Sequence, residues 1–260
     1  RNYCATSSGF PHRDINWRKL LCCSKNQTAM TQVRRAPLAD AVICTVDVVL
    51  LTLHQHTLHV VLSRREKAPY QGALALPGGF VHTQEDDSAW HAAARVLQAK
   101  AGIDSPYLEQ LATWSGPDRD PRGWSVSIVY YALIPETLVP GHSADVQMHP
   151  VHALPPLPFD HGQMVAQAIE RVRNKSQYSS LPVYLCADAF TLPHLQTVYE
   201  AVLGEPINKV SFRRKMEEMD MLEAIEGAME SGGAHRPAQL YRLKPEFQRS
   251  LSVVERGINA

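Results

Sequence analysis

The stretch Leu76–Ile103 reads LPGGFVHTQEDDSAWHAAARVLQAKAGI, and it decides the fold. Pro77-Gly78-Gly79 ends a strand that starts near Ala73, and Glu85, Asp86 and Asp87 crowd the loop that follows. Asp87 stands where a helix N-cap belongs, because a short carboxylate can accept the free N–H groups of the first turn. Trp90, Ala94, Leu97 and Ala101 then recur at i, i+4, i+7 and i+11, the spacing of a one-faced helix over Asp87–Ala101. Gly102 terminates it, since only glycine enters the left-handed region without strain. The segment is therefore strand, glycine turn, acidic loop and helix.

Working outward, Ala41–Leu53 (AVICTVDVVLLTL) is rich in β-branched residues and reads as a strand broken only by Asp47. His54–Thr57 reads as a turn and Leu58–Ser63 as the returning strand. Downstream, Leu111–Trp114 and Ser125–Ile134 are strands flanking a turn-rich Gly116–Gly123. Asp160 caps a further helix with Val165, Ile169 and Val172 on one face. A polar stretch, Asn174–Ser180, separates this mixture of strands and helices from a segment of different character.

The whole chain has 260 residues, enough for one or two domains, with 26 Lys+Arg against 26 Asp+Glu. A net charge of +0 argues against bulk attraction to nucleic acid or an anionic membrane, so any such binding is local. No apolar run reaches the length of a membrane helix, and residues 1–29 contain no secretory signal. Five cysteines, two of them adjacent, give neither a disulfide framework nor a C-x-x-C metal pair, and a reducing cytoplasm is the expected compartment. Residues 1–36 read as an N-terminal extension, disordered or an artefact of start-site choice. The alternative is a basic arm that touches DNA phosphates through Arg13, Arg18, Lys19 and Lys25.

Leu76–Ile103 resembles the Nudix box: Gly, five residues, Glu, seven residues, then Arg-Glu-apolar-x-Glu-Glu-x-Gly-apolar. Gly79 is the opening glycine, and Arg95, Leu97, Gly102 and Ile103 fall on the Arg, apolar, Gly and apolar positions. The loop is two residues longer, and Asp87 stands in place of the first Glu. In the working motif three carboxylates on one helix face hold divalent metal against a diphosphate. Here those positions are Val96, Ala99 and Lys100, so no metal site and no hydrolysis are expected. Lys100 would repel a metal; it either supplies a cation towards a phosphate or is a surface lysine without a role.

Two more segments carry chemistry. In WSGPDRDPRGWSVSIVYY (Trp114–Tyr131), Arg119 and Arg122 flank Asp120-Pro121 beside Trp114 and Trp124. Arginine forks suit a pyrophosphate and an indole suits a purine face; the alternative is a structural turn with an Arg–Asp pair. From Phe190, Thr191 caps a helix with Leu195, Val198 and Val202 inward, stopped by Gly204 and followed by Pro206. Asn208 caps a second helix, Lys209–Met219, with Phe212, Met216 and Met219 as its buried stripe. Lys209, Arg213, Arg214 and Lys215 crowd its other faces. Leu222–Met229 and Ala238–Leu243 read as antiparallel strands joined at His235-Arg236-Pro237. Helix, tight turn, basic helix and hairpin is the order of a winged helix-turn-helix; the alternative is a small packing domain with a solvated basic helix.

Taken together, PGGFV, RDPRG, FDH (Phe159–His161), FTL, NKVSFRRK and RPAQLYR resemble the Nudix-related transcriptional regulators, the NrtR family, over most of residues 37–245. The resemblance implies an α+β chain: a Nudix-like α/β/α sandwich with a mixed sheet over 37–178, then a winged helix-turn-helix over 179–260. It implies a ligand-responsive repressor of NAD-metabolism genes whose Nudix-like domain binds ADP-ribose, or a related nucleotide, without hydrolysing it. The expected ligand residues are Arg64, Gly78, Gly79, Arg95, Lys100, Arg119, Arg122 and Trp124. The expected DNA residues are Lys209, Ser211, Arg213, Arg214, Lys215 and Arg236. No cofactor beyond the effector and no membrane partner is expected; a homodimer on a palindromic double-stranded operator is. The rival reading is a Nudix hydrolase of ADP-ribose-type nucleoside diphosphates whose catalytic carboxylate has moved to Glu85 or Asp87.

Overall fold

Strand β1 (Ile43–His54) is the spine of the larger sheet, because its side chains alternate between two cores. Val46, Val48 and Leu50 face one core, Val49 and Leu51 the other. The computed structural model describes residues 41–104, 107–140, 145–230, 237–254 and 257–258. The expectations for residues 1–36, the basic arm among them, lie outside the described residues, and so does Arg236.

From β1 the chain turns at Gln55 and His56, whose φ values of 48° and 60° make a tight hairpin into β2 (Thr57–Arg64). Then come β3 (Leu74–Ala75), β4 (Gly78–Phe80), α1 (Ala89–Ala101), β5 (Leu108–Gly116), β6 (Ser125–Leu133), β7 (Val146–Pro150) and α2 (His161–Ser176). The sheet order is β3-β2-β1-β6-β5, with β4 paired to β1 and β7 to β2. β1 and β6 run parallel and the other pairs antiparallel, so the sheet is mixed. α1 covers one face through Ala92, Ala93, Val96 and Leu97, and α2 the other through Met164, Val165 and Ala168. This is the expected α/β/α sandwich.

Three local expectations are corrected. Ser88, not Asp87, caps α1: its Oγ accepts the His91 N–H at 3.2 Å. The buried line of α1 is also rotated away from Trp90, which is 45% exposed and donates its indole N–H to the Leu108 carbonyl. Alanines allow the helix to sit close on the sheet, where an indole would hold it off. Asp160 precedes α2 without a side-chain cap bond, because its carboxylate is engaged elsewhere.

The C-terminal portion follows the expected order. A buried 3-10 segment, Leu181–Leu185, leads to β8 (Phe190–Thr191), α3 (Leu192–Leu203), α4 (Lys209–Met219), β9 (Leu222–Glu230) and β10 (Ala238–Leu243). The small sheet runs β8-β10-β9, antiparallel. Thr191 accepts the His194 N–H, and Asn208 accepts the Val210 and Ser211 N–H groups, so both helices have side-chain caps. Phe212, Met216 and Met219 are buried as read. They join Leu195, Val198 and Tyr199 of α3 in the same apolar cluster that lies under α2. The two architectures thus share one core. Among the described residues no helix is long and apolar enough to cross a membrane.

Candidate functional site: a cationic cleft and a basic helix

A cleft of about 380 Å³ opens where the C-terminal part of α1 faces the strand end Ser63–Ala68, β4, the Arg119–Arg122 turn and the start of α2. Seven lining residues are Lys or Arg (Arg64, Arg65, Lys67, Arg95, Lys100, Arg119, Arg122) against three acids, Asp47, Glu66 and Asp120. In a chain of zero net charge this is a concentrated positive field, suited to a compact polyanion. Burial first, then the neighbouring Arg122, pulls the Arg65 pKa down, so these cations already crowd one another.

Seven of the eight sequence-expected ligand residues line this cleft; Trp124 does not. Several are held by acids that the linear reading did not pair with them. Arg95 donates twice to Asp86 at 2.8 Å and once to the Phe80 carbonyl at 3.0 Å, which replaces the missing neighbouring acid of the motif. The Arg95 hydrogen bonds hold Asp86 down at about 2. Asp86 is therefore a structural partner that also fixes the loop by accepting the His82 N–H, not a solvated loop acid. Arg119 is bidentate on Asp160 at 2.8 and 2.9 Å, and Arg122 is bidentate on Asp120. Arg64 donates to the Gly72 carbonyl, and Lys100 lies 3.1 Å from Glu66 across the cleft.

The Nudix motif implies a divalent metal, and these residues do not suit one. Val96 is buried, Ala99 has no ligand atom, and the Lys100 ammonium occupies the third position, paired with Glu66. Glu85 pairs with His82 and Asp87 lies near His91, both acids largely exposed and outside the cleft lining.

Four lining side chains were not singled out as site residues: Asp47, His161, Phe159 and Phe80. Asp47 is a buried carboxylate on β1 that accepts Ser127 Oγ at 2.5 Å. His161 Nδ1 accepts the Leu76 N–H at 3.1 Å, which leaves the proton on Nε2, facing Asp47 Oδ1 at 3.5 Å. Burial holds this imidazole below its ordinary range, so it is neutral. The Arg65 guanidinium lies over Phe159 at 4.8 Å and that of Arg122 over Phe80 at 5.0 Å. The sequence signal was FDH for two of these and GGF for a third, each quoted as part of a pattern and not weighed as chemistry.

On α4, Lys209, Arg213 and Arg214 are exposed and Ser211 half-buried. Lys215 is corrected: it is 3% exposed, lies beside the apolar stripe and pairs with Glu218 at 3.6 Å. Position 215 is three residues on from Phe212, so helical geometry turns it inward.

Two family models match the chain: the NUDIX domain over residues 44–168 and the NrtR DNA-binding winged helix domain over residues 182–243. The ADPR responsive transcriptional repressor NtrR of Acinetobacter baylyi is 38% identical over 225 residues, covering 84% of this chain and 88% of that one. The chain belongs to the NrtR family. The crystal structure of Shewanella oneidensis NrtR complexed with a 27mer DNA has 40% sequence identity and a TM-score of 0.75. It covers 82% of this chain and 98% of the other. The ADP-ribose pyrophosphatase of Methanocaldococcus jannaschii is 34% identical over 108 residues, 41% of this chain and 63% of the enzyme. In NrtR terms, the cleft lies in the Nudix portion and α4 is the second helix of the winged-helix portion.

Proposed function

We propose that this NrtR-family chain is an ADP-ribose-responsive transcriptional repressor. It binds operator DNA through α4 and releases it when ADP-ribose fills the cleft, without hydrolysing the ligand. The observation that carries this reading is the cleft's charge: cations, with Lys100 at a metal-carboxylate position, surround the space where the fold family holds a diphosphate. A diphosphate held by guanidinium and ammonium groups is neutralised without a metal-activated water, which makes the site a sensor. ADP-ribose is NAD without its nicotinamide, so genes of NAD metabolism are the natural targets.

Two protomers related by a two-fold axis would present two α4 helices to major-groove faces about one helical turn, or ~34 Å, apart on a palindromic operator. Lys209, Arg213 and Arg214 supply the cationic contacts. Ligand in the cleft lowers DNA affinity by favouring a domain arrangement that misaligns the two helices. The chain has a direct path for this. α2 begins in the cleft with Phe159 and His161 and ends against the segment that carries the winged helix.

Gel shift with the chain's own upstream DNA tests the reading. A shift at low salt that ADP-ribose reverses is the expected result, and absence of any shift overturns it. Calorimetric titration of Lys100→Glu should reveal weaker ADP-ribose binding. The hydrolase reading is favoured by the similarity to the M. jannaschii enzyme. Mg²⁺-dependent release of AMP from ADP-ribose by the purified chain would establish it.

A further inference from the structure

Among the described residues, Val210 is the most exposed large apolar side chain, at 77%. It occupies the second position of α4, and the helix itself has no use for it there. Its N-terminal turn is closed by Asn208, whose side-chain oxygen accepts the Val210 and Ser211 N–H groups at 3.0 and 3.1 Å. The apolar staple of that turn is supplied by Ile207 and Phe212, both buried. Position 210 lies two residues, about 200°, from Phe212, on the face opposite the core. A β-branched residue also lowers exposed-helix stability relative to alanine. Nothing in the folded chain accounts for valine at this point.

Its surroundings do. Arg213 and Arg214, one turn on, share its face and are exposed, and Lys209 precedes it. A single apolar knob inside a ring of cations is the complement of a major groove, where bases lie between two phosphate walls. Valine has no donor or acceptor with which to read a base by hydrogen bonding. The base feature it can match is the C5-methyl of thymine. We infer that Val210 reads the operator by packing its methyl groups on a thymine C5-methyl, while the neighbouring cations hold phosphates. This rests on the repressor reading above and adds a base class and a residue to it.

The test is fluorescence anisotropy on a duplex spanning the footprint in the chain's own upstream DNA, with each thymine replaced in turn by deoxyuridine. For the native chain, removing the methyl should weaken binding about fourfold at one thymine per half-site, the size of one buried methyl contact. Val210→Ala should weaken binding to the unmodified duplex by a similar factor and lose sensitivity to uracil at that position alone. Its affinity for ADP-ribose should be unchanged, which shows that the variant is folded. If Val210→Ala and the native chain respond alike to every uracil, the inference is overturned. It is also overturned if the variant changes oligomeric state while the uracil response persists, since Val210 would then be a protein contact. If the native chain binds no duplex at low salt, the repressor reading itself fails, a result distinct from both.

Discussion

Gly78 illustrates how a residue can be picked correctly for the wrong reason. Glycine beside a phosphate-binding cleft reads as a place for close backbone approach to ligand. In the structure a Cβ at Gly78 would lie 2.0 Å from Asp47 Oδ1, so the glycine makes room for a buried carboxylate thirty-one residues earlier. No local pattern carries that information, because β4 and β1 meet only through the sheet. Gly78→Ala should therefore cost about 3 kcal/mol, at the upper end of ordinary overpacking, as measured by urea unfolding. A cost below about 1 kcal/mol would mean that Asp47 can move aside. Its neighbour His161 makes a second residue-level prediction. It is neutral when folded, so below its ordinary pKa the unfolded chain binds a proton that the folded chain does not, and stability falls as pH falls. A single histidine contributes at most about 1.4 kcal/mol of this loss between about pH 7.5 and 5.5. In His161→Asn the side-chain oxygen can still accept the Leu76 N–H, but that titration is absent. The variant's unfolding midpoint should depend less on pH over that range; an unchanged pH dependence would refute the assignment.

At the scale of elements, periodicity was legible wherever one face is buried and the other is wet. That holds for α3, for α4 and for the alternating β1. It misled in α1, where small alanines, not the large Trp90, make the contact with the sheet. β7 (VQMHP) was not read at all, since it has only one β-branched residue and is defined by pairing with β2. The ion pairs of the cleft were illegible for the same reason: Arg119 meets Asp160 forty-one positions away. On α4 the distinction between charge count and charge placement can be measured. Arg213→Ala and Arg214→Ala should each weaken DNA binding and reduce the slope of log affinity against log salt by about 0.9 if each meets one phosphate. Lys215→Ala should leave that slope unchanged and lower stability instead, because its stem is buried beside Met216 and Met219. A slope change for Lys215 equal to that of Arg213 would show that it reaches DNA.

For the whole molecule, equal totals of acid and base describe neither of the surfaces that matter. The cleft carries an excess of cations, and α4 places Lys209, Arg213 and Arg214 ahead of Glu217 and Glu218. Coupling between those surfaces requires a connection that is stiff at both ends, and the C-terminal segment supplies one end of it. Ser252 accepts the Ser180 N–H, donates its own N–H to Ser180 Oγ, and donates Oγ–H to the carbonyl of Met219, the last residue of α4. Val254 N–H bonds to the Tyr178 carbonyl and Ile258 N–H to the Gln177 carbonyl, just past the end of α2, and both side chains are buried. The segment therefore ties the end of the basic helix to the end of the helix that begins in the cleft. Deleting residues 250–260 cuts that tie without removing a cleft residue or an exposed cation of α4. ADP-ribose affinity, by calorimetry, should remain near that of the full chain, which also reports that the Nudix portion is folded. The ratio of DNA affinities without and with ADP-ribose should fall towards one. If the ratio survives the deletion, the signal crosses through the shared apolar core under α2 and α3 instead, because those contacts are all that would remain between the two portions.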